Sequence, residues 1–142
     1  MTVNKQVKAC AVALAGAALS VGISAAPASA VTNLYCNTTG ATGVSTIDNW
    51  SSGVTNLDLS LAVQDTKADG HHVRIRLVGK NEGGALITWP WRANYDGQGV
   101  TKSWSTTASY SDGLYDVGIQ VARYEGDDQL NSCTDWLRSD QT

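Results

Sequence analysis

The sequence predicts an all-β domain, a two-sheet antiparallel sandwich of seven or eight strands, on three observations. Stretches such as Leu57-Asp58-Leu59-Ser60-Leu61-Ala62-Val63 alternate apolar and polar residues with period two, the pattern of a strand covered on one face. Gly, Asn, Asp and Ser clusters punctuate the chain at intervals of roughly 8–12 residues, the spacing of short strands in a sandwich. No segment after residue 30 has helical periodicity of useful length. A jelly roll or a small β-barrel satisfies the same pattern.

Taken in order, residues 1–30 read as a secretory signal peptide. Lys5 and Lys8 give a positive start, Ala9 to Ile23 is largely apolar, and Pro27-Ala28-Ser29-Ala30 supplies small residues for cleavage. The apolar run is Ala-rich and short for a membrane span, and Cys10 precedes it, where a lipid-anchor cysteine would follow. Residues 31–142 then form a single domain, large enough for its own core. Without Lys5 and Lys8 it holds eight basic against thirteen acidic residues, a net charge of about −5. That balance disfavours nucleic acid and anionic membranes as partners, since both need a basic face.

Val31–Asn37 is a first strand carrying Cys36, and Val44–Trp50 a weaker second one. Asn56–Gln64 is the clearest strand, and Val73, Ile75 and Leu77 repeat its pattern after the polar turn Asp65–Gly70. Pairing these two as a hairpin, 63 opposite 73, aligns their apolar faces and stands Arg74 and Arg76 near Asp58 and Ser60 on a solvated face. Ala85–Thr88 is short. Val100–Thr106, Leu114–Tyr124 and Leu130–Leu137 complete the set, with Leu114–Tyr124 the longest. The chain has no Phe, so several of Trp50, Trp89, Trp91, Trp104 and Trp136 must supply core bulk.

Cys36 and Cys133 remain once the leader is removed, and a pair in an oxidising compartment implies a disulfide. It closes a 98-residue loop between the terminal strands. The clustered Cys and His spacing of a metal site is missing. His71 and His72 are adjacent on a strand, which sends their rings to opposite faces. Neither Asp65–Gly70 nor Glu125–Asp128 has the carboxylate spacing of a calcium loop, so no metal or cofactor is expected. A Gly-x-Ser-x-Gly turn is absent, both mature cysteines are committed to the bridge, and enzymatic activity is not expected.

Two resemblances add to this reading. Asp112-Gly113-Leu114-Tyr115-Asp116-Val117 resembles the tyrosine corner of immunoglobulin-like domains, with Val117 in the place of the antibody cysteine, and implies Ig-like topology. The leader, the size, the Ala/Thr/Gly-rich composition and the single disulfide resemble small secreted β-sandwich proteins of actinobacteria. Those include protease and amylase inhibitors, chromophore carriers and toxin adaptors. The chromophore carriers and common inhibitors hold two disulfides, and this domain has cysteines for one.

Trp89-Pro90-Trp91-Arg92-Ala93-Asn94-Tyr95-Asp96-Gly97 is the segment richest in recognition chemistry. Pro90 takes it out of any central strand. One expectation is an interface for an extracellular protein, anchored by Trp91, Arg92 and Tyr95. The other is a glycan site, with sugar faces on Trp89 and Trp91 and hydroxyls bonded by Arg92, Asn94 and Asp96. A purely packing role, with both tryptophans as a lid and Arg92 paired to Asp96, uses the same residues.

Overall fold

A computed structural model describes residues 30–138. The leader expected over 1–30 lies, Ala30 apart, outside the described residues. Among the described residues there are nine strands, not the expected seven or eight, because the aromatic segment contributes a short strand of its own: β1 (Ala30–Thr38), β2 (Ala41–Trp50), β3 (Val54–Asp65), β4 (His72–Lys80), β5 (Leu86–Thr88), β6 (Arg92–Asn94), β7 (Thr101–Leu114), β8 (Asp116–Glu125) and β9 (Asp128–Arg138). They form two antiparallel sheets, β1-β2-β3-β7 and β5-β4-β8-β9, with β6 also beside β4.

Each inner strand has one apolar face because its sequence alternates. Leu57, Leu59, Leu61 and Val63 of β3 meet Val73, Ile75 and Leu77 of β4 and Val117, Ile119 and Val121 of β8 across the core, all at most 4% exposed. Trp50 is buried with them, and Trp89 and Trp104 pack against the cluster from its margin. Fully burying one such aliphatic side chain contributes about 1.5–3 kcal/mol. The missing Phe is thus made good by tryptophans at the ends and side of the core.

The hairpin expected between β3 and β4 does not form. β3 pairs with β2 and β7, and β4 with β8, β5 and β6. Alternation identifies the apolar face of a strand but not its lateral neighbour. Here the two matching faces oppose each other across the core, and the polar link 66–71 crosses between sheets. Arg74 and Arg76 consequently stand opposite Ala122 and Gln120, away from Asp58 and Ser60. The crossings β3 to β4 and β7 to β8, with β7 beside β3 and β8 beside β4, give an Ig-like Greek key.

Two further expectations change. The longest strand is β7, with 14 residues, because it runs on past Thr106 to Leu114; Thr101, Ser103, Ser105, Thr107, Ser109 and Ser111 line its exposed face. Tyr115 lies between β7 and β8 instead of within a strand. In this corner Gly113 takes φ = 80°, and a side chain there would lie 2.7 Å from the Gly53 carbonyl oxygen, so only glycine fits.

Cys36 of β1 and Cys133 of β9 are bonded, with Cα atoms 5.9 Å apart. The bridge joins the edge strand of one sheet to the edge strand of the other and closes that side of the sandwich. A loop of this length implies about 4.7 kcal/mol from restriction of the unfolded chain. Replacing Cys36 and Cys133 by Ser should therefore lower unfolding free energy in urea by about 3–5 kcal/mol, and alkylation without reductant should label neither sulfur in the wild-type protein.

Candidate functional site

The segment between β5 and β6 is built around a change of register on β4. Lys80, Gly79 and Val78 face Leu86, Ile87 and Thr88, whereas Ile75, Arg74 and Val73 face Arg92, Ala93 and Asn94. Three residues, Trp89, Pro90 and Trp91, thus lie opposite two, Leu77 and Arg76: a one-residue bulge. The Trp89 amide still donates to the Leu77 carbonyl, at 3.1 Å. Pro90 has no amide hydrogen to continue the ladder.

This bulge divides the two tryptophans between faces. Trp89 turns toward the core over Gly79, whose absent side chain makes the room; a Cβ there would sit 3.3 Å from the indole and 2.9 Å from Leu114. Trp91 emerges on the outer face of the β4-β8-β9 sheet. The Arg76 guanidinium carbon lies 4.3 Å from the centre of its ring, and Tyr124 meets it edge-on at 5.7 Å.

Residues 92–96 continue the new phase. Arg92 points to the margin between the sheets and donates from Nη2 to Thr106 Oγ1 at 3.0 Å; it does not pair with Asp96. Asn94 is fully buried. Its Nδ2 donates to the carbonyls of Val63 (3.1 Å) and Val100 (2.8 Å), and its Oδ1 accepts from the Asp96 amide. A side chain so used has no group left for a ligand, so Asn94 is a structural residue and not a binding one. Asp96 pairs with Lys102 at 3.0 Å. Tyr95 is 65% exposed and stacks on His72, ring centres 4.3 Å apart.

The polar trio expected to bond a sugar is therefore not brought together. Arg92 faces β7, Asn94 is inside, and Asp96 is held by Lys102. Trp89 and Trp91 do not share a face. What the structure does assemble is an aromatic and cationic outer face that the sequence reading did not single out. Arg74 lies 4.0 Å over Tyr124 and Lys80 4.6 Å over Trp136, beside the Arg76–Trp91 pair. Each cation comes from β4 and its aromatic partner from a different neighbouring segment. Stacking of this kind is worth about 0.5–2 kcal/mol per pair, and it fixes side chains that would otherwise be mobile.

His72 begins β4 at one end of this face, stacked on Tyr95 and Tyr124. Its Nε2 accepts from Arg74 Nε at 2.9 Å, which requires a neutral ring protonated on Nδ1. Burial, and then the Arg74 charge, hold its pKa below the ordinary 6.5. His71 instead meets Asp69 at 2.9 Å and Glu125 at 3.5 Å. Burial disfavours the charged Asp69 carboxylate, but hydrogen bonds from His71 and the charges of His71 and Arg123 outweigh it, and its pKa is lowered. Asp65 accepts from the Lys67 amide and Arg123 donates to Asp69 at 2.6 Å. Both carboxylates of this polar segment are thus engaged by the chain itself. Among the described residues no cluster of three or more metal-ligating side chains occurs.

Between β7 and the bulge lies a cleft of about 170 Å³, lined by Leu59, Leu61, Leu77, Trp89, Pro90, Trp91, Arg92, Thr106, Thr107 and Ala108. Its walls are mostly apolar, and Arg92 spans it to reach Thr106.

Two measurements check these assignments. Asn94→Ala strands two carbonyls and one amide and should cost about 2–4 kcal/mol in urea unfolding, whereas Tyr95→Ala should stay within about 1 kcal/mol. For His72 the unfolded chain binds a proton near 6.5 and the folded chain resists it. Stability should therefore fall as pH drops below about 6.5, levelling once the folded ring protonates. His72→Gln should flatten that slope.

No protein-family model matches the chain, and no curated protein matches it.

Proposed function

We propose that the chain is a secreted, non-enzymatic binding protein that engages a protein partner through the outer face of the β4-β8-β9 sheet at its β6 end. Trp91 and Tyr95 are the anchors, flanked by Arg74 and Arg76. The observation that carries this reading is their preorganisation. Trp91 is held beneath Arg76 and Tyr95 against His72, so little side-chain freedom remains to be lost on association. Trp, Tyr and Arg are also the residue types that dominate binding energy at protein interfaces. Export is inferred from the leader-like residues 1–30, and the Cys36–Cys133 bond is compatible with an oxidising compartment.

A glycan partner is the weaker reading, because one face of Trp91 is occupied by Arg76 and Asn94 is buried. Tyr95→Ala and Trp91→Ala should each weaken partner binding by at least about 30-fold, the effect of losing a 2 kcal/mol anchor. Thermal midpoints should shift by only a few degrees. A partner captured from culture supernatant by the wild-type protein and equally by both variants would refute the face as the site. Retention on insoluble chitin, cellulose or peptidoglycan, released by soluble sugar, would replace the protein partner by a glycan.

A further inference from the structure

The four outer edges of the two sheets are not treated alike. β1 and β9 face each other on one side, tied by Cys36–Cys133. There the Tyr35 amide of β1 is capped by the Asp135 carboxylate at 2.9 Å, and the Thr39 carbonyl by Asn131 at 3.0 Å. On the other side the β5–β6 edge is interrupted by the Pro90 bulge. These are recognisable ways of blunting a sheet edge against further pairing. β7 has neither a disulfide nor a proline bulge, and among the described residues its Thr107 carbonyl accepts only from the neighbouring Thr106 Oγ1, at 3.4 Å. Its register with β3 runs unbroken from Thr101 opposite Gln64 to Ser109 opposite Asn56, with no proline and a single charge, Lys102, which is held by Asp96. Along its other side no strand pairs with it among the described residues.

From this edge the geometry points to a peptide-binding groove: an extended segment of a partner protein adds to β7 as a further antiparallel or parallel strand and places one large apolar side chain in the neighbouring cleft. A row of alternating backbone donors and acceptors is matched in full only by another extended main chain. A strand added about 4.8 Å beyond β7 directs every second side chain toward the opposite sheet, at the mouth of the cleft walled by Leu61, Leu77, Trp89, Pro90 and Ala108. The cleft's 170 Å³ compares with the roughly 150 Å³ that accommodates a benzene ring. A second copy of this chain fits less well. The core-facing residues of its own β7 are Lys102, Trp104, Thr106, Ala108 and Tyr110; Trp104 and Tyr110 already pack on their own core, and Thr106 and Ala108 are too small to fill the cleft. The proposal rests on the reading of the protein as a binding module and adds an edge to its aromatic face.

The test uses a phage-displayed library of random nine-residue peptides selected on the folded protein. Selected peptides should share one Leu, Ile, Met or Phe in an otherwise uncharged extended sequence. On binding they should slow hydrogen exchange at alternate amides of Thr101–Ser109 at least 10-fold. N-methylation of alternate peptide amides should weaken binding at least 10-fold, a readout that needs no protein variant. Ala108→Phe, which fills the cleft, should do the same, and Tyr95→Ala should leave peptide affinity unchanged while weakening the partner of the aromatic face. Failure to enrich any peptide, or binders that protect no β7 amide or tolerate N-methylation at every position, would overturn the groove. Concentration-dependent protection of β7 in the protein alone, with dimer in sedimentation, would also overturn it by giving the edge to a second copy.

Discussion

Pro90 lacks an amide hydrogen, and the arrangement of the aromatic and cationic outer face depends on that fact. An uninterrupted strand from Leu86 to Asn94 would keep Trp89 and Trp91 on the same face. Inserting one residue opposite Leu77 and Arg76 lets the first tryptophan seal the core and the second join the outer face. Asn94 then locks the new phase, because its three hydrogen bonds reach β3, the loop before β7 and the turn at Asp96. Outward-facing and buried side chains are alternated along six residues, Trp89 to Asn94, and the bulge sets the order.

The sandwich is correspondingly asymmetric. On one side the disulfide and the polar caps on β1 hold the sheets together, so that side is closed covalently. On the other, the links are polar and non-covalent: Arg92 reaches Thr106 across an apolar cleft, Asn94 reaches the Val63 carbonyl of β3, and Asp96 pairs with Lys102. The aromatic–cation pairs of the outer face stiffen the β4-β8-β9 sheet without joining it to its partner sheet. The covalent tie therefore lies where β1 meets β9, and the aromatic and cationic side chains of the outer face lie around β4 and its neighbours.

Much of the fold was legible because alternation survives in the inner strands: β3, β4 and β8 each announce which residues face inward, and Cys36 and Cys133 announce their bond. Lateral order was not legible. Nothing in residues 57–63 distinguishes a partner beside the strand from one across the core, so the hairpin with β4 was expected and β7 was missed as the neighbour. Within the site, Trp91 and Tyr95 were found by composition, but Asn94 looked like a ligand group until its burial was known. Arg74, Arg76, Tyr124 and Trp136 could have been placed on one face from their phase relative to Ile75, Ile119 and Leu137. Only the β4–β8–β9 pairing brings them together.

The aromatic outer face requires Trp89 and Trp91 to occupy opposite faces, and 19F NMR of 5-fluorotryptophan-labelled protein observes this directly. Removing the cation above one ring with Arg76→Ala should move the Trp91 resonance and leave Trp89 in place, while Gly79→Ala should move Trp89 and leave Trp91. Movement of both resonances in both variants, or of Trp89 alone with Arg76→Ala, would contradict the bulge and the surface built on it.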